Sequence, residues 1–175
     1  MVEFRDLTAD EIECRVQQVK DNGLVLLLYK DARCDMRILD NTVGAENWQR
    51  EHYECKGNLF CRVGIYCAPV DTVPLQWVWK ADCGVESNTE AQKGEASDSF
   101  KRACFNWGIG RELYTSPFIW IKADKCDIKQ FNNTYKCYDR FIVEKIKIEN
   151  KQITALAIWN VTKNCRAFVW QKEEK

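Results

Sequence analysis

The spacing of apolar positions changes several times along the chain, and each change marks an element. Ile12, Val16 and Val19 recur at steps of four and three, Thr8 and Glu11 stand at capping-box spacing, and Gly23 follows. That spacing predicts a short amphipathic helix over 8–20. The apolar run "LVLLLY" (24–29) reads as a short buried strand or as the lead-in to a helix. Helical spacing resumes through Ala32, Met36 and Leu39 and ends near Gly44. Alternation then predicts three strands, over 48–56, 59–68 and 76–84. "KGN" (56–58) supplies the first turn, and Pro69 and Pro74 bracket a loop. On the third strand Trp77 and Trp79 share one face, and Val78 and Lys80 share the other.

The strongest helical pattern lies between 90 and 107, where Ala96, Phe100, Cys104 and Trp107 line one face. Ser87 and Glu90 form a capping-box pair ahead of it, and Gly108 stands where a left-handed C-cap belongs. Further on, "SPFIWIKAD" holds a short strand, and two alternating runs meet at Glu149-Asn150-Lys151 as a β-hairpin. "NCRAFVWQ" adds an edge strand before a frayed Lys-Glu tail. These elements predict one α+β domain over 1–175. Its core is an antiparallel β-meander (β-β-β-α) packed against a long helix (24–120), with an N-terminal helix and a C-terminal β-hairpin extension (121–175).

Composition narrows the chemistry. Formal net charge is zero, so no global field draws polyanions, and a nucleic-acid site has to be a local stripe. The N-terminus is charged from its third residue and lacks the apolar stretch of a signal peptide. The longest apolar run is far too short to cross a bilayer. A soluble, cytoplasmic protein without membrane contact is expected. Ten cysteines include no C-x-x-C pair, and His52 is the sole histidine. That excludes the usual structural zinc spacings. The cysteines read as small buried hydrophobes in a reducing compartment, and no metal or cofactor is expected.

Three stretches carry more. "YKDARCDMRILDNTVGAENWQ" (29–49) is an arginine-bearing helix followed by Gly44-x-x-x-Trp48. "VWKADCGVES" is a strand with a small-residue exit. "EASDSFKRACFNWGIGRELY" carries Asp98, Lys101-Arg102-Ala103, Trp107 and Gly108 on one helix. In this order the three resemble the Rad-fifty-two-type single-strand annealing proteins, especially the short phage and prophage forms with Sak-like function. The resemblance covers about 24–114. It departs from the family where a further arginine often follows the Lys-Arg pair, since this chain has Phe105 and Asn106 there.

The resemblance implies a protein that holds single-stranded DNA by its phosphates, anneals complementary strands in recombination and double-strand break repair, and catalyses no reaction. It implies a homo-oligomeric ring in which sheet and helix border a groove. A single-strand-binding protein or an exonuclease is a candidate further partner. Lys101 and Arg102 are then the leading phosphate ligands, with Arg33 or Arg37, four apart on one helix face, across the groove. Lys93 and Lys80 rank second. Asp98, four before Arg102, either orients the guanidinium or is an ordinary surface pair. Trp48, Trp77 and Trp79 stack on bases or, as packing residues, fill the core or a subunit interface.

Two rivals belong to other classes. Asp139 with Glu149-Asn150-Lys151 resembles the Asp…Glu-x-Lys set of metal-dependent nucleases, although its second half falls on a hairpin turn. A non-catalytic structural oligomer is the other.

Overall fold

The computed structural model describes residues 2–70, 73–84 and 91–173. In chain order the elements are β1 (Glu13–Lys20), β2 (Gly23–Tyr29), α1 (Ala32–Val43), β3 (Trp48–Cys55), β4 (Asn58–Cys67), β5 (Gln76–Cys83) and α2 (Ala91–Trp107). After these come β6 (Ile119–Lys122), β7 (Ile128–Phe131), β8 (Thr134–Cys137), β9 (Phe141–Glu149), β10 (Gln152–Asn160) and β11 (Cys165–Gln171). This is an α+β chain with antiparallel sheets, as expected. It forms two compact units, Met1–Arg5 with Lys30–Arg111, and Asp6–Tyr29 with Glu112–Lys175.

The first unit holds a three-stranded sheet in the order β3-β4-β5 and both α-helices. Asp31 caps α1 by accepting a hydrogen bond from the Cys34 N–H at 2.6 Å. A two-residue turn, Lys56 and Gly57, joins β3 to β4 with both residues at positive φ (53° and 75°), as a strongly twisted hairpin requires. Cys61, Val63 and Ile65 alternate onto one face of β4, and all are fully buried. Phe100, Ala103 and Cys104 of α2 and Ile38 and Leu39 of α1 complete that core. α2 is pinned at both ends. The Glu95 carboxylate accepts from the Leu59 N–H at 2.9 Å, and the Trp107 indole donates to the Val63 carbonyl at 2.9 Å. Gly84 makes the close approach possible, because a Cβ there would lie 2.2 Å from the Glu95 carbonyl oxygen. Gly108, at φ 98°, ends the helix as the sequence predicts. The Ser87–Glu90 capping pair lies outside the described residues.

The second unit is built on a six-stranded antiparallel sheet in the order β11-β10-β9-β1-β2-β6, with β7-β8 as a separate hairpin. Leu24, Leu26, Ile119, Ile121, Ile153, Leu156 and Ile158 form its core. The β9–β10 turn is Asn150-Lys151, both at positive φ (51° and 60°).

The helix expected over 8–20 is not there. Thr8 and Glu11 do form the capping box, but it closes only a 3-10 turn, Ala9–Glu11, and the chain then extends as β1. A β-bulge between Val16 and Gln18 explains the misleading spacing. The extra residue resets the alternation, so Val16 and Val19 turn the same way although they stand three apart. The Lys172 end is also more tied than expected, since its N–H donates to the Thr154 carbonyl at 2.8 Å.

Candidate nucleic-acid interface

α2 buries Ser99, Phe100, Ala103 and Cys104, which leaves Lys101 and Arg102 side by side on its opposite flank. Lys101 is only 16% exposed at its side chain, and its ammonium lies 3.9 Å from the Asp98 carboxylate. Arg102 is 38% exposed and leans the other way, toward Asp82 of β5 at 3.4 Å. Asp98 thus lies beside Lys101, one helical turn away, and Asp82 on the neighbouring strand lies beside Arg102. Each cation stands beside a carboxylate at a longer distance than a tight ion pair.

The C-terminal end of α2 takes two more cations. Lys80 donates to the Asn106 carbonyl at 2.9 Å and lies 4.6 Å above the Trp107 ring. Arg111 donates to the Phe105 carbonyl at 2.9 and 3.0 Å and to the Asn106 carbonyl at 2.9 Å. Positive charge at the last helix carbonyls opposes the negative end of the helix dipole. Burial, followed by the nearby Arg111 charge, lowers the Lys80 pKa from its ordinary value. Lys80 is thus held at the helix end, and Arg111 shares that task.

Arg33 and Arg37 are exposed on α1, on the side turned away from its buried Asp35, Ile38 and Leu39. The structure sets Lys101 and Arg102 at adjacent positions on one flank of α2 and places both arginines on the exposed side of α1. Lys93 lies on α2, but its side chain is outside the described residues.

The far face of the three-stranded sheet is aromatic. Tyr53 stacks on Phe60 at 5.6 Å, Tyr66 meets Trp77 at 5.6 Å, and Trp77 meets Trp79 at 6.0 Å. Arg62, held by Glu51 at 2.6 Å, covers the Trp79 ring at 4.5 Å. Gly64 sits under that ring, where a Cβ would come within 2.8 Å of it. Tyr53, Tyr66 and Trp77 remain exposed. Trp48 is a packing residue by contrast, stacked on Phe100 at 6.1 Å with its indole donating to Asp40 at 2.7 Å.

Sequence reasoning missed what lies beneath Lys101. Lys30 and Asp35 are both fully buried and bonded to each other, and Lys30 reaches the Lys101 backbone carbonyl at 3.4 Å. Five residues apart and straddling a helix start, they share no periodicity that alignment with one face would reveal.

The nuclease set does not assemble. Asp139 accepts from the Asp127 N–H and the Asn160 amide at 2.8 and 2.7 Å, ahead of β9. Glu149, at the other end of β9, pairs with Lys147 at 2.9 Å, and Lys151 pairs with Asp6 at 2.8 Å. Ten residues of largely extended chain put Asp139 and Glu149 roughly 30 Å apart at ~3.3 Å per residue. Among the described residues no cluster of three or more His, Cys, Asp or Glu side chains could hold a metal ion. No helix among them is long and apolar enough to cross a membrane.

No curated protein and no solved structure matches the chain. A family model does: that of the Rad52/22 family double-strand break repair protein matches residues 5–130. The match takes in both helices, the three-stranded sheet and the Lys101-Arg102 flank, and it stops short of β9. With more than two thirds of its length inside that match, the chain belongs to the Rad52/22 family of double-strand break repair proteins.

Proposed function

We propose that the protein binds single-stranded DNA along α2 and anneals complementary strands during recombination and repair, without making or breaking a covalent bond. The observation that carries this is the paired Lys101 and Arg102, presented by a helix within the family-matched region beside carboxylates at 3.9 and 3.4 Å. Phosphate contacts of this kind give affinity whatever the base sequence, and they leave base edges to a second strand. Arg33 and Arg37 extend the cationic surface, and Lys93 lies two turns upstream on α2. Lys80 contributes by fixing the helix end.

The exposed aromatic face of the three-stranded sheet suits a neighbouring subunit, and a homo-oligomeric ring is the assembly we favour. A phage or prophage source in a bacterial cytoplasm is the origin we favour, from the resemblance to the phage forms of the family. A single-strand-binding protein or an exonuclease would then supply or load the strand.

Titration of labelled single-stranded DNA at several salt concentrations tests the reading. Replacing both cations (Lys101→Ala with Arg102→Ala) should weaken binding and annealing equally across sequences. Each lost phosphate contact should flatten the log-affinity against log-salt slope by about 0.7. A double variant that stays assembled and keeps its affinity and slope would make the pair an ordinary solvated surface.

A further inference from the structure

The buried flank of α2 carries a charged pair that strand binding as described above does not use. Lys30 and Asp35 are 1% and 0% exposed. Lys30 donates to the Asp35 carboxylate and to the Lys101 carbonyl, and its ammonium lies 4.2 Å over the Phe105 ring. The second carboxylate oxygen of Asp35 is buried and accepts no hydrogen bond among the described residues. Burying an ion pair is generally no more stabilising than a well-packed apolar pair of the same volume. Fold stability alone therefore gives no reason for a lysine and an aspartate here. Their place does: they join the start of α1 to the backbone of the residue whose side chain heads the anion site.

We propose that Asp35 is a positioning residue of that site, holding Lys101 in place through Lys30 and taking up a proton when a phosphate binds at Lys101. This rests on the strand-binding reading given above. The charged and titratable groups around Asp35 are Lys30 from the segment before α1, Asp31 at the α1 N-cap, and Lys101 and Cys104 of α2. Arg50 of β3 and Cys61 of β4 act on Cys104 from the sheet side. Burial pushes the Asp35 carboxyl up to about 6, against the opposing pull of Lys30 and Lys101.

A phosphate seated on Lys101 adds negative charge nearby and offsets the Lys101 charge that favours the ionised carboxylate. Both effects raise the proton affinity of Asp35 further. At roughly 10 Å and an effective dielectric constant of about 20, the added shift is about one pKa unit. The sign follows: the bound state holds more proton, so affinity rises as pH falls, by up to about tenfold between pH 8 and pH 5.

The test is the anisotropy of labelled oligo-thymidylate at fixed salt from pH 5 to pH 8. It uses the wild type, Asp35→Asn, the apolar pair Lys30→Met with Asp35→Leu, and His52→Asn. The last is the control, because histidine is the side-chain type that changes charge in this range and His52 contacts the Ala96 carbonyl of α2 at 3.1 Å. The wild type and His52→Asn should tighten toward pH 5, and Asp35→Asn and the apolar pair should bind with a flat profile. If Asp35→Asn does not fold, the apolar pair decides. Profiles parallel to the wild type in the Asp35 variants, a flat wild type, or a slope lost in His52→Asn overturn the proposal and leave strand binding standing. A wild type that binds at no pH overturns both.

Discussion

The three-stranded sheet with α2 and the β9-β10-β11 end of the second unit use similar materials differently. Both are antiparallel and both carry cations on alternating positions. At the β9 to β11 end Lys147 meets Glu149 at 2.9 Å and Arg166 meets Glu144 at 2.6 Å, and Lys172, just past β11, donates to the Gln152 side chain at 2.8 Å. Arg166 holds the Glu144 carboxyl below its usual range. On α2 the carboxylates beside Lys101 and Arg102 stand at 3.9 and 3.4 Å. A count of basic residues would rank the two regions alike. Distance to the nearest counter-charge separates Lys101 and Arg102 from these cations, and from Arg62 of the three-stranded sheet itself, held by Glu51 at 2.6 Å, since a short, two-pronged ion pair leaves little charge for a phosphate to compete for.

The contrast can be broken most forcefully at Gly84. A methyl group in Gly84→Ala meets the Glu95 carbonyl at 2.2 Å, so α2 has to move off β5. We expect a loss of about 3 kcal/mol and a thermal midpoint lowered by roughly 6–12 °C. Affinity for single-stranded DNA should fall with it, because Arg102 and Asp82 sit on the two elements driven apart. Calorimetry and strand titration at one temperature check both.

Asn160→Ala sharpens the contrast from the other unit. Asn160 is fully buried, donates to the Lys125 carbonyl at 3.0 Å and to Asp139 at 2.7 Å, and accepts from the Lys163 N–H at 3.1 Å. Its removal should cost about 2 kcal/mol in denaturant titration, with the salt slope of strand binding unchanged. The smallest effect is expected from Arg166→Ala. Its exposed pair with Glu144 should leave both melting temperature and strand affinity within error of the wild type.

How far the sequence carried differs between these regions for physical reasons. α1, β4 and α2 each bury one face at a regular period, so spacing alone marks them, and β3 and β5 are marked by their alternating residue types between turn signals. The β1 region misled because its bulge places Val16 and Val19 at a helical interval on one strand face. β7 and β8 were missed because each is four residues long, with little alternation to read. At the site, the Lys101-Arg102 pair was legible as adjacent cations at the end of an amphipathic run. The partners that decide their chemistry were not: Asp82 comes from another strand, and Lys30 reaches Lys101 across 71 positions. Lys80 looked like a strand-face cation, and only the end of α2 above it explains its bond to Asn106.

The two sheets also differ in when their strands can find each other. β3, β4 and β5 pair with sequence neighbours, and α2 follows at once, so the Lys30–Arg111 unit can close early during synthesis. β1 and β2 leave the ribosome before it and can pair with each other, but their outer edges wait for distant partners, Glu13 for Ile142 and Leu24 for Ile121. At roughly 5–20 residues per second, the ~100 residues separating β2 from β6 take about 5–20 seconds to translate. Through that interval the β6-facing edge of β2, at Leu24, Val25 and Leu26, stays open, the condition under which nascent chains pair wrongly with one another. Production of this protein should accordingly gain more from slower translation or added chaperone than its modest size suggests.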